Sequence, residues 1–265
     1  MRFSGSRKGL GHQGWYRAIG PYYDHLYDPR RAANAYPFLH DLFRRRGPVR
    51  DVLDVACGTF ALDMGLAKRG YRIVGRDLSE AMLATARRKV AGAGVHADLA
   101  LGDMRNLRLD RTFDAVLCLG TAFNYLASSE DARTALRAFR RYLRPGGLLV
   151  LDLTHFDPWI EHPENARAEN DYRAPDGTRI AVFTFNDQNL ARGVHYARFV
   201  TLVQKGNRID LRVDESPLRI WRKDDLARLL ERNGFRAVEW WGGLRLGARY
   251  DRRKSPRLVS VSVRA

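Results

Sequence analysis

Three features of this 265-residue sequence predict an α/β fold: a doubly wound, mostly parallel sheet with an antiparallel β insertion. Short apolar runs alternate with amphipathic helical patterns from residue 52 to residue 153, the rhythm of parallel strands joined by right-handed helical crossovers. Between 178 and 213 that rhythm gives way to β-rich runs separated by Gly177, Gly193 and Gly206-Asn207, which mark hairpins. A helix and two strand patterns then close the chain. With 45% hydrophobic and 29% charged residues the composition is globular, and the length suffices for one large core.

Taken in order, residues 1–21 are Gly-rich and basic and are expected to form a flexible arm. Residues 22–265 are expected to form one domain. It opens with a helical cap over 22–47, where Tyr36, Phe38, Leu39, Leu42 and Phe43 recur at near-helical spacing and Gly47-Pro48 stops the helix. Five strands are predicted: Val52 to Ala56, Tyr71 to Gly75, Asp98 to Leu101, Phe113 to Leu119 and Leu148 to Leu153. Ser79 caps a helix bearing Met82, Leu83, Ala86 and Val90; Ser128 with Asp131 opens a second, which Pro145-Gly146-Gly147 ends. Residues 155–215 form the β-rich insertion, after which come a helix from Lys223 to Asn233 and strands at Phe235 to Trp241 and Arg257 to Val263.

The charge is unusual: 46 basic residues against 30 acidic ones give +16, and 40 of the basic residues are arginine. Such a surface attracts anions, nucleic acids included. The arginines are nevertheless spread along the whole chain. The local clusters, Arg44-Arg45-Arg46 and the stretch Arg249 to Arg257, lack the interleaved aromatic residues of a single-strand stacking platform. No apolar run approaches the roughly 18 residues of a membrane span, and no signal-peptide core follows the basic N-terminus, so a cytoplasmic location without membrane contact is expected. Cys57 and Cys118 are too few for a disulfide framework, and His155, Asp157, Glu161 and His162 match no compact ligand spacing, so no metal is expected.

The chemistry concentrates at the carboxyl ends of the first three strands. Val52-Leu-Asp-Val-Ala-Cys-Gly-Thr59 is a buried strand running into a small-residue turn, expected to lead into a helix near Phe60. A turn of this kind brings backbone amides close to a ligand. The second strand ends at Asp77, an acceptor-only carboxylate suited to a ribose diol. The third ends in Leu101-Gly102-Asp103-Met104, placing another carboxylate at the same edge, where it could accept from an adenine amino group.

These three signatures together resemble the cofactor site of class I S-adenosylmethionine-dependent methyltransferases. Phe113-Asp-Ala-Val-Leu-Cys-Leu-Gly-Thr-Ala-Phe-Asn-Tyr-Leu126, followed by Pro145-Gly-Gly-Leu-Leu-Val-Leu-Asp152, looks like the glycine/sarcosine N-methyltransferase branch and related small-molecule N-methyltransferases. The resemblance implies a seven-stranded sheet and S-adenosyl-L-methionine as cofactor. Its site would comprise Tyr22, Tyr27, Arg31, Asp54, Ala56, Cys57, Gly58, Asp77, Leu78, Asp103, Met104 and Leu119, with Arg31 on the methionine carboxylate, and Tyr22, Tyr23 and Tyr27 resemble the tyrosine segment that covers the cofactor in these relatives. Arg30 is the alternative. His155, Tyr27 and Arg192 are positioning candidates for the acceptor, and no nucleophilic side chain is required because the reactive methyl belongs to the cofactor. The acceptor implied is a small amine, amino acid or amino sugar.

The chain departs from the family pattern twice. Phe60 replaces the usual third glycine of the first motif, where it is expected to keep helical backbone angles and either wall the methionine end or pack on the helix. Asp214-Glu215-Ser216-Pro217 replaces a tyrosine-rich strand, which puts glycine as acceptor in doubt. Two rival readings stay open: an RNA or protein methyltransferase exploiting the basic surface, and a non-catalytic cofactor-binding regulator. Homo-oligomerisation is open as well.

Overall fold

The computed structural model describes residues 11–26, 30–163 and 166–265. Helices α1 (Gly11–Ile19) and α2 (Arg30–Arg46) precede β1 (Asp51–Asp54), α3 (Met64–Ala67), β2 (Arg72–Asp77), α4 (Glu80–Gly92), β3 (Ala97–Leu101), β4 (Phe113–Cys118), α5 (Ser129–Tyr142) and β5 (Leu143–Thr154). The excursion comprises α6 (Asp157–Glu161), β6 (Ala166–Arg173), β7 (Arg179–Asn189), β8 (Val194–Lys205) and β9 (Arg208–Arg219). The chain ends in α7 (Lys223–Arg232), β10 (Phe235–Trp241) and β11 (Arg257–Arg264).

Seven strands form one sheet in the order β10-β11-β5-β4-β1-β2-β3, and four form a second in the order β6-β7-β8-β9. Within the first sheet β3, β2, β1, β4 and β5 run parallel, while β11 is antiparallel to both of its neighbours. The central strands are apolar on both faces because both faces are covered. Val52 of β1 and Ala115 and Leu117 of β4 pack with Phe38, Leu42, Leu83 and Ala86 from α2 and α4. Their neighbours Leu53 and Val116 turn the other way, onto Ala132, Leu136, Phe139, Leu226 and Leu230 from α5 and α7. The predicted caps are present: the Ser79 hydroxyl accepts from the Met82 amide at 3.4 Å and that of Ser128 from the Asp131 amide at 2.9 Å.

Three expectations change. Residues 11–19 of the predicted flexible arm are a helix: Trp15 and Ile19, one turn apart, are buried, and Trp15 stacks on Phe199 of β8 with ring centroids 4.2 Å apart. Residues 1–10 of that arm lie outside the described residues. The insertion gains a strand, β6, whose polar sequence shows no alternation and whose order comes from its ladder with β7. It also extends past 215, since β9 continues through Asp214-Glu215-Ser216-Pro217 to Arg219. Pro217 is accommodated because β9 is an edge strand.

Candidate active site

A cavity of about 400 Å³ opens where β1, β2 and β4 end, as expected for a ligand site in an open α/β sheet. Its floor is the turn after β1. The Ala56 amide donates to Asp54 at 2.8 Å, the Cys57 amide to the Arg76 carbonyl at 3.0 Å, and the Gly58 amide to Asp77 Oδ2 at 2.8 Å. The Ser79 amide donates to the other Asp77 oxygen at 2.8 Å. Each carboxylate oxygen retains a further lone pair, so Asp77 can still accept two hydroxyl hydrogens from a diol. Burial pushes its carboxyl above the ordinary range, although the Ser79 and Gly58 amides oppose this.

Behind this turn stands a pair of like charges. Asp54 and Asp63 are both buried. Burial, then the neighbouring Asp63, raises Asp54 well above a normal carboxyl; burial pushes Asp63 up to about 7. Two neighbouring carboxyls shielded from water disfavour each other's ionisation. Phe60 completes the turn in a way its sequence hides. Its φ is 64°, in the left-handed region rather than helical, and α3 starts only at Met64. Its ring is fully buried with Phe38, Leu42 and Leu66 and is absent from the cavity wall, so it is a core residue and not a wall of the methionine end.

The turn after β4 is supported by opposite charges. Gly120 and Thr121 both have positive φ, 70° and 77°, the latter unusual for a β-branched residue. A Cβ on Gly120 would sit 3.1 Å from the Arg31 guanidinium, so glycine is needed here for space as well as for backbone angle. Asp152 of β5 ties the region together. It accepts from the Gly120 amide at 3.1 Å, from Arg31 at 3.2 Å and from Arg257 Nε at 2.7 Å. Arg257 also donates to the Asp152 carbonyl at 3.0 Å and to the hydroxyls of Thr121 and Thr154 at 2.9 and 3.1 Å. Burial alone would raise the Asp152 carboxyl, but Arg257 and Arg31 outweigh it and hold it below its ordinary value.

Three tyrosines share the wall of the cavity. Tyr16 comes from α1, Tyr23 from the single helical turn Tyr23–His25, and Tyr125 from a similar turn, Ala122–Tyr125, after β4. The Tyr16 and Tyr125 hydroxyls are 3.1 Å apart, and the Tyr16 ring lies 5.9 Å from that of Tyr23 and 6.3 Å from that of Tyr125. Asp24 pins this cover in place. It accepts from Lys89 of α4 at 2.5 Å and from the Thr59 hydroxyl of the β1 turn.

Of the residues singled out in the sequence, Arg31, Asp54, Ala56, Cys57, Gly58, Asp77, Leu78, Met104 and Leu119 line this cavity together. Tyr22 packs instead into the apolar cluster under the second sheet, one residue out of register with the cavity-lining Tyr23. Tyr27 lies outside the described residues. Asp103 is not on the wall: Arg105 takes its carboxylate at 2.6 Å and bridges it to Asp131 at 2.8 Å. His155 is fully enclosed away from the cavity, where its Nδ1–H donates to the Ser255 carbonyl at 2.8 Å and its Nε2 lies 3.1 Å from the Tyr250 hydroxyl. Arg192 is exposed in the turn between β7 and β8. Sequence reasoning missed Tyr16, Asp152 and Arg257. Tyr16 was assigned to the arm, although Trp15 and Ile19 one turn apart were a readable helical signal; for the buried pairing of Arg257 with Asp152, 105 residues away, there was none.

Comparison with known proteins agrees with this geometry. Residues 52–147 match the methyltransferase domain family. Over 177 residues the chain is 33% identical to a dTDP-3-amino-3,4,6-trideoxy-alpha-D-glucopyranose N,N-dimethyltransferase of Streptomyces venezuelae, covering 62% of this chain and 72% of that one. Over 218 residues it is 29% identical to a glycine/sarcosine N-methyltransferase of Halorhodospira halochloris, covering 82% and 76%. Among solved structures, S-adenosylmethionine-bound CalS10, an amino pentose methyltransferase from Micromonospora echinaspora, superposes with a TM-score of 0.67 at 25% identity over 99% of this chain and 100% of that one. A buried diol acceptor, an amide-lined turn and an arginine lining one cavity fit S-adenosyl-L-methionine, the cofactor. This chain belongs to the S-adenosylmethionine-dependent methyltransferases.

Proposed function

We propose that this enzyme methylates the nitrogen of a small-molecule amine, amino sugar or amino acid. The observation that carries the reading is the set of three neighbouring tyrosine rings, Tyr16, Tyr23 and Tyr125, that line the same cavity as Asp77. An amine gains positive charge as it is alkylated, and aromatic faces stabilise a desolvated cation by about 2 kcal/mol. When bound, the cofactor supplies a methyl group activated on a sulfonium.

The protein's work is then binding, alignment and exclusion of water. Asp77 accepts from the ribose hydroxyls while the Gly58 and Ser79 amides hold its carboxylate in place. Ala56, Cys57, Leu78, Met104 and Leu119 form the apolar and backbone walls. Arg31, steered by Asp152, pairs with the methionine carboxylate. Asp103 reaches the adenine amino group only by giving up part of its pairing with Arg105. The Asp24 contacts with Lys89 and Thr59 keep the tyrosine cover over the reacting centre.

The rival reading, methylation of RNA through the basic surface, finds less support. Within the C-terminal cluster Arg257 is turned inward onto Asp152, and Arg252 pairs with Glu161 at 3.3 Å. Isotopically labelled S-adenosylmethionine offered with pooled amino sugars, amines, amino acids and bulk RNA tests the choice by mass spectrometry. Label on an amine nitrogen is the expected outcome; label on RNA alone overturns the reading.

A further inference from the structure

Three connections between the parallel strands carry a helix and one does not. Helix α3 joins β1 to β2, α4 joins β2 to β3 and α5 joins β4 to β5, whereas residues 102–112 join β3 to β4 as an irregular loop. The α5 side of β2 and β3 is therefore left open. Ala97 and Leu99 of β3 pack on the side of α4, so alternation turns Asp98 to the open side, next to its ladder partner Val74. A second cavity, of about 630 Å³, lies there. It shares no lining residue with the cofactor cavity, although Arg76 borders one and its chain neighbour Asp77 the other.

The wall of this cavity is held in shape from behind. The buried Tyr142 hydroxyl donates to the Leu107 carbonyl at 2.8 Å and accepts from the Leu109 amide at 3.2 Å, which fixes the backbone on both sides of Arg108. Arg76 donates to the Gly75 and Asp98 carbonyls at 2.9 and 3.1 Å and to the Asp98 carboxylate at 3.1 Å, and Arg111 pairs with Asp51. Two further arginines on the wall, Arg108 and Arg141, are exposed, and among the described residues neither pairs with a carboxylate; Arg141 lies over the Tyr142 ring, 5.8 Å from its centroid. By contrast Arg105 of the same loop and Arg133 and Arg137 of α5 each have an acidic partner.

Four guanidiniums and two carboxylates, those of Asp98 and Asp110, thus border one cavity. Guanidiniums donate, and their planar fork suits phosphate oxygens. Ionised carboxylates only accept, so they repel a bare anion and are satisfied by hydroxyl groups. A ligand that answers both sets carries a phosphate and several hydroxyls on one small frame, and the volume is that of a small-molecule pocket. We propose that this cavity is a second ligand site of the chain and takes a sugar phosphate, with the phosphate on Arg108 and Arg141 and sugar hydroxyls on Asp98 and Asp110.

The test is calorimetry of the full chain at about 20 mM salt, with S-adenosylhomocysteine at saturation so that the cofactor cavity is filled. Glucose 6-phosphate, ribose 5-phosphate and inorganic phosphate are titrated in turn. At least one ester is expected to bind, at least about fivefold more tightly than inorganic phosphate. Arg108→Ser with Arg141→Ser is expected to weaken the ester at least about tenfold with unchanged far-UV circular dichroism. Arg252→Ser with Arg253→Ser removes the same charge from the C-terminal cluster and is expected to change binding by less than about twofold. Asp110→Asn is expected to narrow the preference for ester over phosphate. The proposal is overturned if neither ester binds, if inorganic phosphate binds as tightly as both, if S-adenosylhomocysteine abolishes binding, or if the two double variants lose affinity equally. Methyl transfer is not the readout, so the result stands apart from the identity of the acceptor.

Discussion

The turns after β1 and β4 solve one problem with opposite electrostatics. Each holds a non-glycine residue at positive φ, Phe60 and Thr121, and each rests on a buried carboxylate, Asp54 and Asp152. At β1 burial pushes the Asp54 carboxyl up, and the neighbouring acid, Asp63, adds to it. At β4 and β5 the neighbours are Arg257 and Arg31, so an equally buried carboxyl is held ionised. Burial pushes both carboxyls up; at Asp152 the neighbouring guanidiniums reverse the direction, and at Asp54 nothing does. The strained residues differ likewise. Phe60 is kept in place by apolar packing, whereas Thr121 is kept by hydrogen bonds to Arg257 and Thr154.

Four variants probe that contrast, beginning with the largest effect. Arg257→Ala removes the main partner of a buried charge and leaves Thr121 without its guanidinium, so a loss of about 3–5 kcal/mol in urea unfolding is expected. A loss below about 1 kcal/mol would show that Arg31 alone suffices for Asp152. Phe60→Gly relieves about 1 kcal/mol of left-handed strain but deletes a buried ring, for a net loss of roughly 2–3 kcal/mol. Because the ring does not reach the cavity, calorimetry should find cofactor affinity changed by less than threefold at unchanged stoichiometry. A tenfold loss in a folded protein would restore Phe60 to the site.

Asp77→Ala follows, with cofactor binding weakened by about 1.5–3 kcal/mol, or 10- to 100-fold, from the lost charge-assisted bonds. The variant should remain folded, with a modest drop in melting temperature because the Gly58 and Ser79 amides lose their acceptor. Unchanged affinity by calorimetry would remove Asp77 from the ribose. The smallest effect belongs to the acid pair. Asp63 binds its proton more tightly in the folded state, so its stabilising contribution is full below 3.8 and is lost as pH rises through about 7. Asp63→Asn can donate to Asp54 without titrating, and should melt a few degrees higher than wild type at pH 8 and show a flatter melting profile between pH 4 and 8. A steeper profile in the variant would show that the pair is not the source.

The parallel core, the order of its helices and the location of the cofactor turn are legible in the sequence. Those features are written locally: a buried strand, a small-residue turn and a capped helix within some 25 residues each announce the next, as Val52 to Asp77 does twice. It also marked Asp77, at the end of the second strand, and, through the family resemblance, Arg31, which lies in the first turn of α2. Two things escaped the sequence. The backbone angle of Phe60 depends on a ring finding room among Phe38, Leu42 and Leu66. The inward turn of Arg257, which looks like part of a basic surface run, depends on β11 entering between β5 and β10. Both rest on contact between segments far apart in the chain, for which neither periodicity nor local propensity carries a signal.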